Sequence, residues 1–489
     1  MGWRIGVLLS GIAVTCAYPQ AAVTEVKIRP DPSARVRPLE SVVLQVRAYG
    51  RLGEQKGRLR RGGAKVKVLD DGGGWVSKPF RFQGADSDEE FLEEFDSKAG
   101  QIFGQLTGRF VLQDAVLYTA PERPGSYRVE AEIDGARDTL AIEVDEAMLT
   151  LAPDEFHSFP EEPPSLDPYR PLAEHWSPLI AQETWWTPKA DYIARFDYDD
   201  DWDGDNNWDH LEIGSSQAYL YYTVMETQTH WFLIYNVFHP RDYSDKCVAG
   251  SCHENDNEGL ILTVFKDGSP HGLLQAMETL AHNNIYSFTA DDRVRRAVHN
   301  IEGRVEFHEE HHPVVFVESG GHGIYGTRSS HARYDVSSGR FAAGTGVTYI
   351  YKGVAEYPRH PDDRLVGYEL LSIDAHWWTR AGEAGGDGRT FDDFFTYQPL
   401  GNRPPAALAR IGGAFLGRAQ GRNLAKPFWG WHDNRTKNRN ILAVGQWGLD
   451  PAYAVSRNLR FPSPFSLTYV HNPYLDVASG RQTAEGREP

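Results

Sequence analysis

The chain has 489 residues, too many for one ordinary hydrophobic core, so at least two folded units are expected. Its 68 acidic against 50 basic side chains leave a net charge of -18, which disfavours nucleic acid and anionic bilayers as partners and suits cations. A solvated acidic surface would account for most of those charges.

The first 22 residues read as an export signal: Arg4 is the basic start, Ile5 to Val14 is apolar apart from Gly and Ser, and small residues follow. Cleavage is expected after Ala17 or Ala22; lipidation at Cys16 is the alternative, with Thr15 a poor residue before it. No later stretch approaches the roughly 20 apolar residues that span a bilayer, so no transmembrane segment is expected and the protein should be secreted or periplasmic. Cys247 and Cys252 then remain, and in an oxidising compartment that pair most simply forms a disulfide. Metal ligation by both thiols is the alternative, though no second pair completes a tetrahedral site.

Residues 24 to 147 read as a small β-sandwich. Leu44 to Tyr49 and Tyr127 to Ile133 alternate apolar with polar residues, the second run ending at an Asp134-Gly135 turn. The segment Tyr118 to Tyr127 resembles the late-strand signature of bacterial immunoglobulin-like modules, and the resemblance implies a spacer or adhesion unit. Within this unit the acidic patch 86–96 has apolar residues at Phe91, Leu92 and Phe95, the spacing of a short amphipathic helix. A linker is placed at 148–171, where Pro160, Pro163, Pro164, Pro168 and Pro171 favour extended chain.

Residues 172 to 480 form the larger unit, dense in Trp and Tyr, and 481–489 read as a disordered tail. Strands are expected at Ala218 to Met225, Thr229 to Phe238, Gly259 to Phe265 and Pro313 to Glu318, with Lys266-Asp267-Gly268-Ser269 as a hairpin turn. Ala406 to Ala419 is a candidate helix. The fold class is therefore all-β: an N-terminal immunoglobulin-like sandwich plus a larger antiparallel β-sandwich with few helices.

Two polar stretches carry the chemistry. In the first, Asp199, Asp201 and Asp203 alternate before Gly204, with Asp205 and Asn207 after it. Hard cations take six to eight oxygens, and alternating carboxylates on a tight loop wrap several around one ion. The spelling begins as an EF-hand loop but has His210 at position 12, so a helix-loop-helix is not supported, and Asp209 or Glu212 would have to close the shell. Five carboxylates in seven residues repel one another without an ion; the alternative is a solvated turn. In the second stretch, a strand opening at Glu258 puts Asp256 on the same face, while His253 sits in the loop before it. Asp242, at the far end of the cysteine-bearing loop, would add an oxygen. The alternative is a polar strand start with a capping histidine.

The run Trp231 to Asp242 followed by His253-Glu254-Asn255-Asp256-Asn257-Glu258 resembles the necrosis-inducing protein family, whose core is an aromatic strand, an acidic residue and a His-x-x-Asp-x-Glu heptapeptide. Ala281-His282-Asn283-Asn284-Ile285-Tyr286 is similar to the segment that follows in that family. Val314 to Tyr325, with Gly321-His322, resembles more loosely the vacuolar protein sorting-associated protein 62 family. The resemblance covers residues 218 to 326. It implies a β-sandwich holding a divalent cation, Ca²⁺ or Mg²⁺, on Asp242, His253, Asp256 and Glu258, and binding of glycan or lipid head groups. The chain departs from that core at Glu254-Asn255 and Asn257, and its loop is longer.

Other motifs carry less. His308-Glu309-Glu310-His311-His312 has the zinc-protease spelling, but Pro313 and a β-branched run follow, so extended chain would hold the two histidines about 13 Å apart. No Gly-x-Ser-x-Gly elbow, phosphate loop or dinucleotide fingerprint is present. His376-Trp377-Trp378, Trp429 to Asp433 and Trp447 read as core packing, with a sugar-stacking platform as the alternative. The leading expectation is a secreted cation-binding protein that recognises a glycan or lipid head group. Its rivals are a metal-assisted hydrolase of phosphoester or glycosidic bonds, with His282 and His322 as acid-base candidates, and a surface protein in which calcium is only structural.

Overall fold

The computed structural model describes residues 22–31, 34–36, 41–51, 64–77, 109–121, 123–145, 167–244, 252–342, 344–383, 385, 388–396, 410–420, 425–433 and 444–478. The expected signal up to residue 21, the acidic patch 86–96, most of the linker, Cys247 and the tail 481–489 lie outside those residues.

In the N-terminal unit the strands are β1 (Ala22–Asp31), β2 (Arg35–Val36), β3 (Ser41–Arg51), β4 (Lys65–Val68), β5 (Trp75–Val76), β6 (Arg109–Thr119), β7 (Gly125–Ile133) and β8 (Ala136–Val144). They form two four-stranded sheets, β1-β3-β6-β5 and β2-β8-β7-β4. Leu44, Val46 and Ala48 of one sheet meet Val129, Ala131 and Ile133 of the other in a single core. The alternation in the sequence is thus the inward-facing set of a β-sandwich.

The larger unit opens with a helix at Arg170–His175, so Pro171, placed in the linker, sits in its first turn. Its strands are β9 (Leu179–Thr184), β10 (Tyr219–Thr227), β11 (His230–Asp242), β12 (His253–Phe265), β13 (Leu273–Ala281), β14 (Asn284–Thr289), β15 (Arg295–Arg296), β16 (Ile301–Arg304), β17 (Phe307–His308) and β18 (His312–Val317). There follow β19 (Ile324–Gly326), β20 (Tyr334–Asp335), β21 (Arg340–Phe341), β22 (Thr345–Tyr351), β23 (Val366–Ser372), β24 (Phe391–Thr396), β25 (Arg410–Phe415), β26 (Leu459–Arg460) and β27 (Tyr469–His471).

One large sheet runs β16-β14-β13-β12-β11-β10-β23-β22-β9-β18-β17. The hairpins from β10 through β14 are antiparallel as expected, but β10–β23, β22–β23, β9–β18 and β14–β16 pair in parallel. Its central strands are buried on both faces. Tyr221, Phe232, Ile234 and Ile261 pack beneath an aromatic layer containing Trp377, Phe415, Trp429, Trp431 and Trp447. On the other face Leu220, Leu233, Val237, Leu260 and Leu262 meet Ile180, Val315, Val347 and Tyr368 from the far strands of the same sheet. Burial on both sides explains why β10 and β11 read as nearly continuous apolar runs.

The candidate helix at 406–419 is corrected: residues 410 to 415 form β25, paired with β24, where a Cβ on Gly412 would lie 2.5 Å from Phe391 Cβ. The extended reading of 308–312 is corrected as well. Glu309 and Glu310 take positive φ, and the turn places His308 opposite His312 across the β17–β18 ladder. Neither geometry puts two histidines on one helical face.

Candidate metal centre

Strands β11 and β12 are both 13 residues long and run beyond the core, so their ladder carries polar residues to its end. Asp242 is paired with His253, His239 with Asp256, and Val237 with Glu258. The sequence reading started the strand at Glu258; the structure starts it at His253, because the six residues 253–258 are all buried and find partners there. Buried polar groups need such partners or a ligand in their place.

His253 Nδ1 donates to the carbonyl of Asn255 at 2.9 Å, leaving Nε2 facing Asp242 Oδ2 at 3.3 Å. Both ring nitrogens therefore have partners, and a metal at Nε2 would have to take the place of the proton shared with Asp242. Burial alone would lower its pKa, but the hydrogen bond to Asp242 and the fields of Asp242 and Asp256 bring it up to about 9. Asp242 itself is pushed up by burial and by Asp256.

Asp256 is held from two sides: Oδ1 accepts from Asn257 N–H at 2.8 Å, and Oδ2 faces His322 Nδ1 at 3.0 Å. The other ring nitrogen of His322 lies 3.2 Å from Asp191 Oδ1. His322 is completely buried, and although burial disfavours its charge, the two carboxylates raise its pKa to about 10. Its ring stacks on His239 at 3.7 Å, whose pKa burial and His322 drive well down. Asp191 also accepts from Trp185 N–H, Tyr243 Oη–H and Gly320 N–H, so it is a fixed anchor.

Glu258 Oε1 accepts from His282 N–H at 3.0 Å, while Oε2 is buried with no partner. Burial, then Asp256, raises its pKa. His282 and Asn283 both have positive φ and close the β13–β14 hairpin. The His282 ring is half exposed, with Nε2 against Glu318 Oε1; that contact first of all raises its pKa to about 9. Among the described residues no lysine or arginine forms an ion pair with Asp242, Asp256 or Glu258. Three carboxylates and one imidazole, with an orphaned oxygen among them, suit a divalent cation in donor chemistry, but their ligand atoms do not all come within 4.8 Å of one another as they stand.

The acidic loop is arranged differently from the five-residue wrap expected of it. Among the described residues, the group of His, Cys, Asp and Glu whose ligand atoms lie within 4.8 Å of one another is Asp199, Asp201 and His210. Asp203 Oδ1 instead accepts from Asp205 N–H, and Asp205 Oδ2 pairs with Arg418 at 2.8 Å. Asn207 Nδ2 donates to Asn255 Oδ1 at 2.6 Å, and Glu254 accepts from Trp208, Arg418 and Ala419 N–H groups. Glu254 and Asn255, the departures from the family core, are therefore what docks the acidic loop on β12.

Sequence reasoning missed Asp191, Glu318 and His210. His210 was visible only as the wrong residue at position 12; Glu318 stood beside the Ser319-Gly320 turn; Asp191 had no signal.

No family model and no curated protein matches the chain. Solved structures to which it is similar are necrosis and ethylene inducing toxin-fold proteins, at low overlap. A toxin fold for microbial attack and plant defense is 12% identical, covers 43% of this chain and 77% of its own, and has a TM-score of 0.23. Necrosis and Ethylene inducing Protein 2, from the causal agent of cocoa's Witches Broom disease, is 13% identical over 32% and 68%, with a TM-score of 0.21. NLPPya in complex with glucosamine is 14% identical over 35% and 72%, also at 0.21.

Two arrangements elsewhere hold no chemistry. Ser287 Oγ, His299 and Asp433 line up at 3.2 and 3.0 Å in the spelling of a triad, yet all three are buried and Ser287 donates to Glu278. Trp429, Trp431 and Trp447 are buried in the core, which removes the stacking-platform alternative for them.

Proposed function

We propose that the protein binds a divalent cation, Ca²⁺ or Mg²⁺, through Asp242, His253, Asp256 and Glu258, and that the bound ion holds a glycan or lipid head group at the ends of β11 and β12. The observation that carries this is Glu258: a buried carboxylate oxygen without a hydrogen bond, in the field of Asp256 and Asp242. His253 and His322 already face Asp242 and Asp256, so the group left to be satisfied is the orphaned oxygen of Glu258, which a cation would relieve. The cation would supply charge neutralisation and open positions for hydroxyl or phosphate oxygens. His322, buried between Asp191 and Asp256, orients Asp256 and does not reach a ligand itself.

Chelated protein titrated with Ca²⁺ or Mg²⁺ should melt at a higher temperature, and Asp256→Asn should lose that gain. No shift at millimolar metal would overturn the reading. Head-group recognition is tested by metal-dependent binding to glycans and to vesicles carrying glycosylated lipids.

The half-exposed His282–Glu318 pair favours one second reading, a metal-assisted hydrolase in which His282 moves a proton at the leaving group. Turnover of phosphoester or glycosidic substrates that His282→Ala abolishes, with metal affinity retained, would select it.

A further inference from the structure

The acidic loop holds a group that the site at the strand ends does not use. Asp199 Oδ2 lies 2.6 Å from His210 Nδ1, and Asp201 joins them within the spacing of a shared ion. The loop reaches this arrangement through its own turns. Asp203 N–H and Asn206 Nδ2 donate to the two oxygens of Asp201, and residues 209 to 212 form a short 3₁₀ turn that swings His210 back over Asp199.

An acidic cluster alone would prove nothing; the second observation concerns Asp199 itself. Its side chain is fully shielded from solvent, and Oδ1 has no hydrogen-bond partner. The side-chain oxygens of Asn206 and Asn207, in the same loop, are also buried and unpartnered. Among the described residues, the basic side chains Arg418, Lys189 and Arg241 are paired with Asp205, Glu212 and the Trp208 carbonyl. His210 meets Oδ2 only, so Oδ1 is a buried acceptor left open to a cation.

We propose that Asp199, Asp201 and His210 hold a second divalent cation, of the class that accepts imidazole, Zn²⁺ or Mn²⁺, in place of the Ca²⁺ that the loop's spelling suggested. The donor set narrows the class: calcium takes six to eight oxygens, whereas two carboxylates and one imidazole supply three ligands, the number that open zinc sites use, with a nitrogen that Zn²⁺ and Mn²⁺ accept. Asp203 and Asp205, which a calcium loop would use, are turned to the backbone and to Arg418. His210 keeps about a third of its side chain exposed, so the open position faces solvent. The ion's two charges would balance those of Asp199 and Asp201.

The inference stands apart from the strand-end site, and the test separates them. The full chain carrying Asp256→Asn and Glu258→Gln, stripped of metal, is titrated with Zn²⁺ or Mn²⁺ by calorimetry and its bound metal is counted by elemental analysis. One equivalent should remain, and adding His210→Ala should weaken it by more than about 100-fold, since losing even a group behind a ligand costs about 10- to 100-fold. Asp203→Asn, which removes a loop charge outside the set, should leave the affinity unchanged. Absence of Zn²⁺ and Mn²⁺ binding in the strand-end variant, or binding indifferent to His210→Ala, overturns the proposal. If His210→Ala does not fold, Asp201→Asn gives the same reading. Loss of the Ca²⁺ or Mg²⁺ response with the loop equivalent intact would count against the strand-end site alone.

Discussion

Asn207 and Asn255 join the two acidic stretches: Nδ2 of the first donates to Oδ1 of the second at 2.6 Å, and both side chains are fully buried. Asn255 has a φ of 60°, so its side chain leaves the strand's regular alternation and reaches sideways, where its own amide donates to the carbonyls of Gly204 and Leu416. One residue of β12 thus secures the loop that carries Asp199 and Asp201.

Removing that tie should be measurable. Asn207→Ala leaves a buried acceptor without its donor, which costs about 1 to 3 kcal/mol. Urea unfolding should show the loss with an unchanged slope, since the surface exposed on unfolding stays the same. A loss near zero would mean that the Glu254 contacts and the Asn255 amide bond to Gly204 are enough to hold the loop.

Glu258 gives a prediction of opposite sign. Its pKa in the folded protein is raised, so between the unfolded value and the folded one the native state holds the proton more tightly. Metal-free protein should therefore lose stability as pH rises above the ordinary carboxylate range. Glu258→Gln carries no charge, so it should melt higher than the wild type at neutral pH without metal, by on the order of 1 kcal/mol, and show less gain from Ca²⁺. Equal melting of the two metal-free proteins would show that Glu258 is not under strain.

Much of the fold was legible because local rules wrote it. The alternation in β7 and the Asp134-Gly135 turn set the first sandwich, and the runs at 219–227 and 230–242 gave the central hairpin. What failed was what depends on distant chain. Parallel partners such as β10 and β23 lie some 150 residues apart, and no local pattern marks them. Residues 253 to 257 look like a loop because they are polar; they are strand because Trp208, Lys426, Asn236 and His322 supply their partners. Ala406 to Ala419 has helix composition, yet Gly412 is needed where β25 passes Phe391. That Asp256 and Glu258 share one strand was legible from their spacing, whereas His253 read as loop and His210 became a ligand candidate only once the loop's path was known.

His299 offers a pH test away from either proposed cation site. It sits between Asp433 at 3.0 Å and Glu278 at 3.7 Å. Burial opposes its charge, but those hydrogen bonds raise the pKa from 6.5 to about 9. A folded value above the unfolded one gives stability that is complete below about pH 6.5 and lost as pH rises through about 9. The shift corresponds to on the order of 3 kcal/mol. His299→Gln should therefore be less stable than the wild type at pH 6, with the gap narrowing by pH 10. A constant gap in chemical denaturation would place the proton elsewhere.

Gly259, immediately after Glu258, fixes the strand-end site by packing. A Cβ there would come within 2.1 Å of Trp431 Cη2 and 2.3 Å of the Tyr235 carbonyl oxygen. The indole cannot simply withdraw, because Trp431 is buried and its Nε1–H donates to the Lys426 carbonyl at 3.1 Å. The carbonyl belongs to β11, the strand that pairs with β12, so the ladder itself would have to open. Gly259→Ala should destabilise by about 3 kcal/mol or more, at the upper end for overpacked cores. Trp431→Phe removes the outer ring atoms but not the carbonyl contact, so the double variant Gly259→Ala/Trp431→Phe should recover only part of the loss. Thermal unfolding of the single and double variants measures this. Because Glu258 is the preceding residue, cation affinity should fall together with stability in Gly259→Ala; full affinity in a destabilised variant would show that the aromatic layer and the strand-end carboxylates are mechanically independent.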